Sequence, residues 1–405
     1  MQEEVIMLLV TDAPKQTFIT RVFRKIEDIS REEWNRVFPD VLEGYDFLKT
    51  IAQSGFDQFS FYYIMVYHED VPVSVVPCFL MVYPFSTTVQ GKLKAIFEFL
   101  EKFFPRFFNL KVLISGSPVC QSRIRIQADD KAAVTKAILD SLEKIAKKES
   151  APVIAFKDIS EGQYPEFKRL LNQGFFKIQT FPSVVMDISF ASFEEYLKGL
   201  SQSTRYDLKR KFKKVQTLSK IEFRVSNHLE GLWDEAYELY QQTFLKSDIH
   251  FEKAPKDFFK NLTYNMPDRV KYFQWYIHDK LAAFECCLIS NDTLIAEYIG
   301  LDYRVAHEYH LYFVRFRDLL NWCLQNKIKK WDAGMMSYEP KKRLGFKAGL
   351  FFAYVRHRNR LLHPLFEKVC RFLNPSNFDK ALKGIQQENF LDHSAYRDQD
   401  NPGND

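Results

Sequence analysis

Two glutamates and a pair of histidines have the types and surroundings that suit proton transfer. Glu297 lies near the end of an extended, β-branched stretch, residues 293–300, and Glu285 sits between Phe284 and Cys286 in the stretch before it. A carboxylate drawn partly out of water has its pKa raised toward neutrality, which a general base needs near pH 7. Glu297 is therefore the first candidate base and Glu285 the second. The competing reading of each is an ion pair with a local Lys or Arg. His307 and His310 are spaced i, i+3, so both can face one cleft if a helix has begun by then, and His310 becomes a candidate base or substrate hydrogen-bonder. A metal site would want a third ligand, and none is spaced for it, so no metal is expected. The six cysteines are scattered without a Cys-x-x-Cys pair, which leaves no zinc cluster or disulfide framework to read. They read as small buried hydrophobes of a reducing compartment.

These residues belong to a chain of 405, longer than one core usually supports, so two domains are expected. A composition 46% hydrophobic and 27% charged, with 14 Gly and 16 Pro, excludes disordered, collagen-like and disulfide-scaffold classes. Aromatic content of 16%, with 39 Phe and 20 Tyr, implies bulky aromatic cores or a roomy apolar site. The net charge of +5 is nearly balanced over such a length, so DNA is not expected and any polyanion must use a local patch. No stretch approaches the ~18 apolar residues of a membrane span. The apolar run near the start is short and preceded by Glu3 and Glu4, so no signal peptide is expected. The expected address is the cytoplasm, with peripheral membrane contact left open.

The positioning elements come in two rounds. In the first, aromatic and β-branched residues 59–67 and 71–82 flank the polar break His68-Glu69-Asp70, which reads as a hairpin. A strand at 111–115, an amphipathic helix at 130–149, a strand at 152–156, a helix at 164–173 stopped by Gly174 and extended chain at 175–188 follow. In the second, residues 270–277 and 281–290 form a hairpin around His278-Asp279-Lys280. It is followed by a strand at 293–300, a helix at 309–326, a strand at 328–332, a short helix at 340–344 stopped by Gly345 and a closing strand at 349–356. Phe167-Lys-Arg-Leu-Leu-Asn-Gln-Gly-Phe175 echoes Lys341-Lys-Arg-Leu-Gly-Phe346, and the first round carries an insertion around 83–108. Asp332, Gly334 and Lys341 surround a strand end, where ligands collect in open sheets. Residues 192–217 read as a helical segment, and 361–373 as an amphipathic helix that packs on the second sheet or lies on a membrane.

Four segments carry a resemblance. They are Ser203-Thr-Arg-Tyr-Asp-Leu-Lys-Arg-Lys211, Ala296-Glu-Tyr-Ile-Gly-Leu-Asp302, Tyr309-His-Leu-Tyr-Phe313, and Trp331-Asp-Ala-Gly334 with Lys341-Lys-Arg-Leu-Gly345. In this order and spacing they resemble the FemAB-like branch of the GNAT acyltransferases, in which two GNAT units share one chain. The resemblance implies an α/β (α+β) fold of two tandem GNAT-like units, each a mixed, mostly antiparallel sheet flanked by helices. The expected organisation is a degenerate unit at 1–188, a unit carrying the site at 189–375 and a polar, disordered tail at 376–405.

The resemblance also implies transfer of an acyl or aminoacyl group to an amine, with acyl-CoA as the leading donor substrate and no permanently bound cofactor. An aminoacyl-tRNA donor with a peptide or lipid acceptor is the runner-up, and a non-catalytic binding module the third reading. In GNAT proteins the strand at 293–300 splays from its neighbour and exposes backbone N–H groups, and a tyrosine general acid often precedes the last short helix. Tyr338 stands a turn early for that task, with Lys341 in the expected slot. The usual phosphate loop is rich in Gly and Arg, whereas residues 301–310 contain no glycine, leaving Arg304 and the helix start near Tyr309, with Tyr312 just after it. The basic run of Arg205, Lys209, Arg210, Lys211, Lys213 and Lys214 is either a solvated helix face or a contact to CoA phosphates, tRNA or an anionic membrane.

Overall fold

The computed structural model describes residues 18–374 except 40, 90–91, 120–123, 161–163, 248 and 336, together with 377 and 382. The described chain forms two compact units, and each has its own sheet.

The first unit opens with β1 (Phe18–Phe23), α1 (Arg31–Val37) and α2 (Tyr45–Ala52). Ser30 caps α1, its hydroxyl accepting from the Glu33 N–H as the Ser-x-x-Glu spacing predicts. The first hairpin is β2 (Ser60–His68) with β3 (Val71–Pro84), and its turn residues Glu69 and Asp70 both take positive φ. The inserted segment folds as α3 (Lys92–Phe103) and α4 (Pro105–Phe108). Then come β4 (Asn109–Ser115), β5 (Arg125–Ile126), α5 (Lys131–Lys148), β6 (Val153–Ser160), α6 (Tyr164–Leu171) and β7 (Phe176–Gln179). Val134, Ile138, Leu142 and Ile145 of α5 are buried in one core with Ile64 and Ile154, as the helical period predicts.

The second unit runs through β8 (Ser183–Asp187), α7 (Phe193–Gly199), α8 (Gln202–Gln216), β9 (Ile221–Ser226), α9 (Trp233–Lys246) and α10 (Lys256–Asn265). It continues with the hairpin β10 (Val270–Ile277) and β11 (Lys280–Ser290), then β12 (Thr293–Leu301), α11 (Tyr303–Ala306), α12 (Leu311–Gln325), β13 (Lys330–Asp332), α13 (Tyr338–Arg343) and β14 (Lys347–Gly349). Its sheet has the order β14-β8-β13-β12-β11-β10-β9. One face packs Phe273, Trp275 and Leu294 against Leu208 and Phe212 of α8 and Leu311, Phe316 and Leu319 of α12. On the other face Tyr272 and Tyr298 meet Tyr240 of α9 and Phe259 of α10. Each buried aromatic contributes roughly 1.5–3 kcal/mol.

The chain then returns to the first unit with β15 (Phe351–His357) and α14 (His363–Phe372). β15 lies between β6 and β7, so the first sheet reads β1-β2-β3-β4-β6-β15-β7, with β5 on β3. This corrects the expected boundaries at 188 and 375. The first unit gives way to the second near Thr180, and the strand expected to close the second unit belongs to the first. The physical reason is packing: Tyr354 is buried in the first core, while Val184 and Met186 of β8 are buried in the second. α14 packs on β7 and β15 of the first sheet. Of the tail expected to be polar and disordered, Leu382 is buried in the second core, and most of the remainder lies outside the described residues.

Gly300 marks where α9 crosses β12. A Cβ there would run into the Phe284 ring and lie 2.7 Å from the backbone nitrogen of Tyr240. Gly300→Ala is therefore expected to cost about 1–3 kcal/mol through overpacking, measured as a lower midpoint in urea at unchanged slope.

Candidate functional site

β12 and β13 pair in parallel over only three residues, from Thr293 opposite Lys330 to Ile295 opposite Asp332. Beyond that point Ala333 and Gly334 follow β8, the Ala333 N–H donating to Val184 O and the Val184 N–H to Gly334 O. β12 runs on to Leu301 along β11, so the two strands part like a V. At the mouth of the V the register with β11 slips: Cys287 faces Ala296 and Cys286 faces Tyr298, so Glu297 is the extra residue of a β-bulge. Bulges re-aim side chains, and they concentrate at active sites for that reason. Glu297 acts on the Cys286 thiol, raising its pKa after burial itself has done so. Cys286 in turn interacts with Tyr272 on the α9/α10 face. The Glu297 carboxylate therefore lies near the α9/α10 face of the sheet, at the bulge where β12 leaves β13.

A second group of charges stands on the α12 face. Glu285, 3% exposed, forms an ion pair with Arg315 of α12. Lys341 donates from Nζ to the carbonyls of Ala333 (2.6 Å), Met335 (3.0 Å) and Gly334 (3.3 Å), which places its ammonium at the end of β13. Burial, reinforced by Arg315, pulls its pKa down to about 8, against opposing pulls from Asp332 and Glu285. The three carbonyls still satisfy the charged form, so at pH 7 Lys341 is an ammonium close to its titration point. Asp332 accepts from the Ser183 hydroxyl and from the Gly334 N–H (2.8 Å), fixing the turn after β13. Gly334 has φ +67, and a Cβ there would stand 3.3 Å from Ala296 O, so glycine lets the walls of the V approach. Tyr312 lies beside the same pair, its phenol pKa raised by burial and lowered in part by Arg315.

The start of α12 is the third part. The helix begins at Leu311, with His310 in a left-handed conformation at its N-cap (φ 47). The helical spacing predicted for His307 and His310 is thus absent: His307 ends α11, although the two rings still sit 6.5 Å apart. The cause is the loop itself, where Asp302 caps the short α11 and the positive φ of His310 separates it from α12. Burial lowers the His310 pKa, and Lys214, Lys211 and Arg210 of α8 lower it further, so a cationic helix faces this point. The segment expected as one helix over 192–217 is two, α7 and α8, divided at Leu200 with Ser201 as the new cap.

The remaining candidates make local contacts. Arg304 pairs bidentately with Asp302, and Tyr309 is buried in the second core. The Tyr338 hydroxyl donates to Pro182 O at 3.0 Å, tying α13 to the entry of β8. Arg205 reaches the Lys198 carbonyl at 3.5 Å. Four cysteines, 78, 286, 287 and 323, are buried as read from the sequence, whereas Cys370 is only partly buried and Cys120 lies outside the described residues. Among the described residues no cluster of three or more His, Cys, Asp or Glu could hold a metal ion.

Arg315 was missed by the sequence reasoning. Its signal was a lone charge in the apolar stripe of α12, four residues from each of Leu311 and Leu319, which are both fully buried. Removing one partner of a buried ion pair strands the other. Arg315→Met is expected to cost about 3–5 kcal/mol, whereas Arg315→Met with Glu285→Gln recovers most of it; thermal melts of the two variants check this.

A sheet whose parallel strands part at a bulge, with a helix starting beside the opening, is the GNAT fold. The family model for FemAB-like proteins, described as peptidoglycan biosynthesis/recognition, matches residues 25–388, and the chain belongs to that family. The structure resembles FemX at 12% identity and a TM-score of 0.52, covering 84% of this chain and 98% of that one. It also resembles a tandem GNAT protein from the clavulanic acid biosynthesis pathway at 7% identity and a TM-score of 0.51, covering 84% and 99%. At such identities the likeness is one of fold, and it shows two GNAT units in tandem. Among curated sequences, a putative 8-amino-7-oxononanoate synthase 2 of Mycobacterium tuberculosis is 25% identical over 170 residues. That match takes in 41% of this chain and 22% of the relative's own length.

Proposed function

We propose that the chain is an N-acyltransferase whose reaction centre is the V between β12 and β13, moving an acyl group from acyl-CoA to an amine. The observation that carries the reading is the bulged, one-sided stretch of β12 with a carboxylate on one side and a lysine ammonium on the other. The donor carbonyl lies along β12, where N–H groups freed from the β13 ladder meet the oxyanion and the nearby Lys341 ammonium, its own hydrogens held by carbonyls, adds its positive charge. Glu297 takes the proton from the attacking amine, the C–N bond forms, and the C–S bond breaks to release the thiolate. Asp332, Gly334 and the Glu285–Arg315 pair hold Lys341 in place. The phosphates of the donor lie toward α8, whose Arg210, Lys211 and Lys214 act on His310.

An aminoacyl-tRNA donor is the second reading, favoured by one observation. The N–H groups of Val305, Ala306, Tyr309 and His310 already donate to carbonyls within the loop, so they are spent before a pyrophosphate arrives. Phosphate contact then falls to side-chain cations, which suit a tRNA backbone as well. Melting the protein with CoA, acetyl-CoA, a long-chain acyl-CoA and an aminoacyl-tRNA separates the donors. A ligand at ~100 times its dissociation constant adds about 2.7 kcal/mol. A shift with one acyl-CoA supports the first reading, a shift with the tRNA alone supports the second, and no shift with any of them counts against both.

A further inference from the structure

Two helices of the first unit leave apolar faces uncovered. On α3, Ile96, Phe99 and Phe103 recur at i, i+3 and i+7 and are all more than half exposed, with the Phe99 and Phe103 rings 4.6 Å apart. Phe97, on the opposite side of the helix, packs on Phe85 and Phe108, so the exposed face is not the one that docks α3 to its unit. Val82 and Phe104, on either side of α3 in sequence, are also more than half exposed. On α14 and the turn before it, Leu361 (89% exposed), Leu365 and Phe372 form a second stripe, while Phe366 and His363 on the inner side meet Phe176. Cys370 of α14 lies within electrostatic reach of Tyr83, which leads through Pro84 and Phe85 into α3. The two stripes therefore belong to one region of the unit.

We propose that these two helix faces form one docking surface for an anionic lipid bilayer. Charge complementarity selects the occupant. α3 carries Lys94 and Lys102 against Glu98 and Glu101, a balanced set. Glu101 is engaged by the Ser86 N–H and hydroxyl. α14 and its leading turn carry Arg360, Lys368 and Arg371 against Glu367, which pairs with Arg371 at 2.7 Å. α14 is thus an apolar stripe with a net positive rim and α3 an apolar stripe beside a balanced one, the pattern of elements lying in a headgroup layer with their Phe and Leu below it. Long basic side chains reach headgroups while their stems stay in the apolar layer. A second copy of the chain fits less well, since a two-fold interface would set the cationic rim of α14 against its own copy. Among the described residues no helix is long and apolar enough to cross a membrane, so the contact is peripheral. The surface is independent of the transfer chemistry, which lies in the second unit.

The test is co-sedimentation of the full chain with phosphatidylcholine vesicles, with and without phosphatidylglycerol. Binding is expected only with the anionic lipid, and raising the salt weakens it. Phe99→Ser and Leu361→Ser are each expected to lower the partition coefficient about tenfold. Leu361 lies outside the helix and is almost fully exposed, so that variant keeps its fold and its melting temperature. Absence of binding, equal binding to both vesicle types, or unchanged binding of the Leu361 variant overturns the proposal. So does a concentration-dependent dimer that both substitutions abolish, which would assign the surface to a second copy.

Discussion

Glu297→Gln is expected to lower kcat about 10²–10⁴-fold with little change in KM for the donor. Gln keeps the size and hydrogen-bonding reach of Glu but cannot accept the proton of the attacking ammonium. The bulge at Ala296 and Glu297 depends on the backbone, so the variant retains its fold. Its signature lies in the pH profile: the acid limb expected of kcat/KM in the wild type disappears, because that limb reports deprotonation of the base. Steady-state kinetics across pH, with any amine acceptor that turns over, reads both effects. A variant that keeps its rate and its acid limb would remove Glu297 from the chemistry and leave His310 as the next candidate.

Lys341→Met carries the second large effect, a loss of about 10²–10³-fold in kcat. The Met side chain fills much of the same space but carries no positive charge at the end of β13. With the Lys341 pKa lowered to about 8, wild-type activity falls as pH rises through that value, and the variant lacks this limb. The stability effect has the opposite sense. The folded pKa lies below the ordinary lysine value of 10.5, so between about 8 and 10.5 the unfolded chain binds more protons, and this group makes stability rise with pH. Below about 8 its desolvation is a standing cost. Lys341→Met is therefore expected to lose that rise while melting within a few degrees of wild type at neutral pH. A large loss of stability at pH 7 would mean that the three carbonyl contacts outweigh burial, and that Lys341 serves the turn more than the reaction.

The hairpins were readable in the sequence because their signals are local. Alternating aromatic and β-branched runs broke at His68-Glu69-Asp70 and His278-Asp279-Lys280, and Glu69, Asp70, His278 and Asp279 all take positive φ. α5 was readable for the same reason, through a stripe and a capping Asp130. The exchange of strands near 180 and 350 was not. β8 and β15 are apolar enough to suit either sheet, and their partners β13 and β6 are distant in sequence, so only packing of Tyr354 and Met186 decides the outcome. The site was half legible. Glu297, Asp332, Gly334 and Lys341 could be placed at strand ends by pattern. The Glu285–Arg315 pair spans thirty residues and two elements, and the lowered pKa of Lys341 follows from burial that no local pattern encodes.

The central claim is that the donor enters the V between β12 and β13. Amide hydrogen exchange with and without a non-transferable thioether analogue of acyl-CoA, and with an aminoacyl-tRNA analogue in parallel, tests it most directly. The account predicts new protection over residues 296–301 and 332–341 with at least one of the two donors, lost in Lys341→Met or a bulky Gly334 variant. Protection confined to the first unit, or binding that leaves residues 296–301 unchanged, would contradict it.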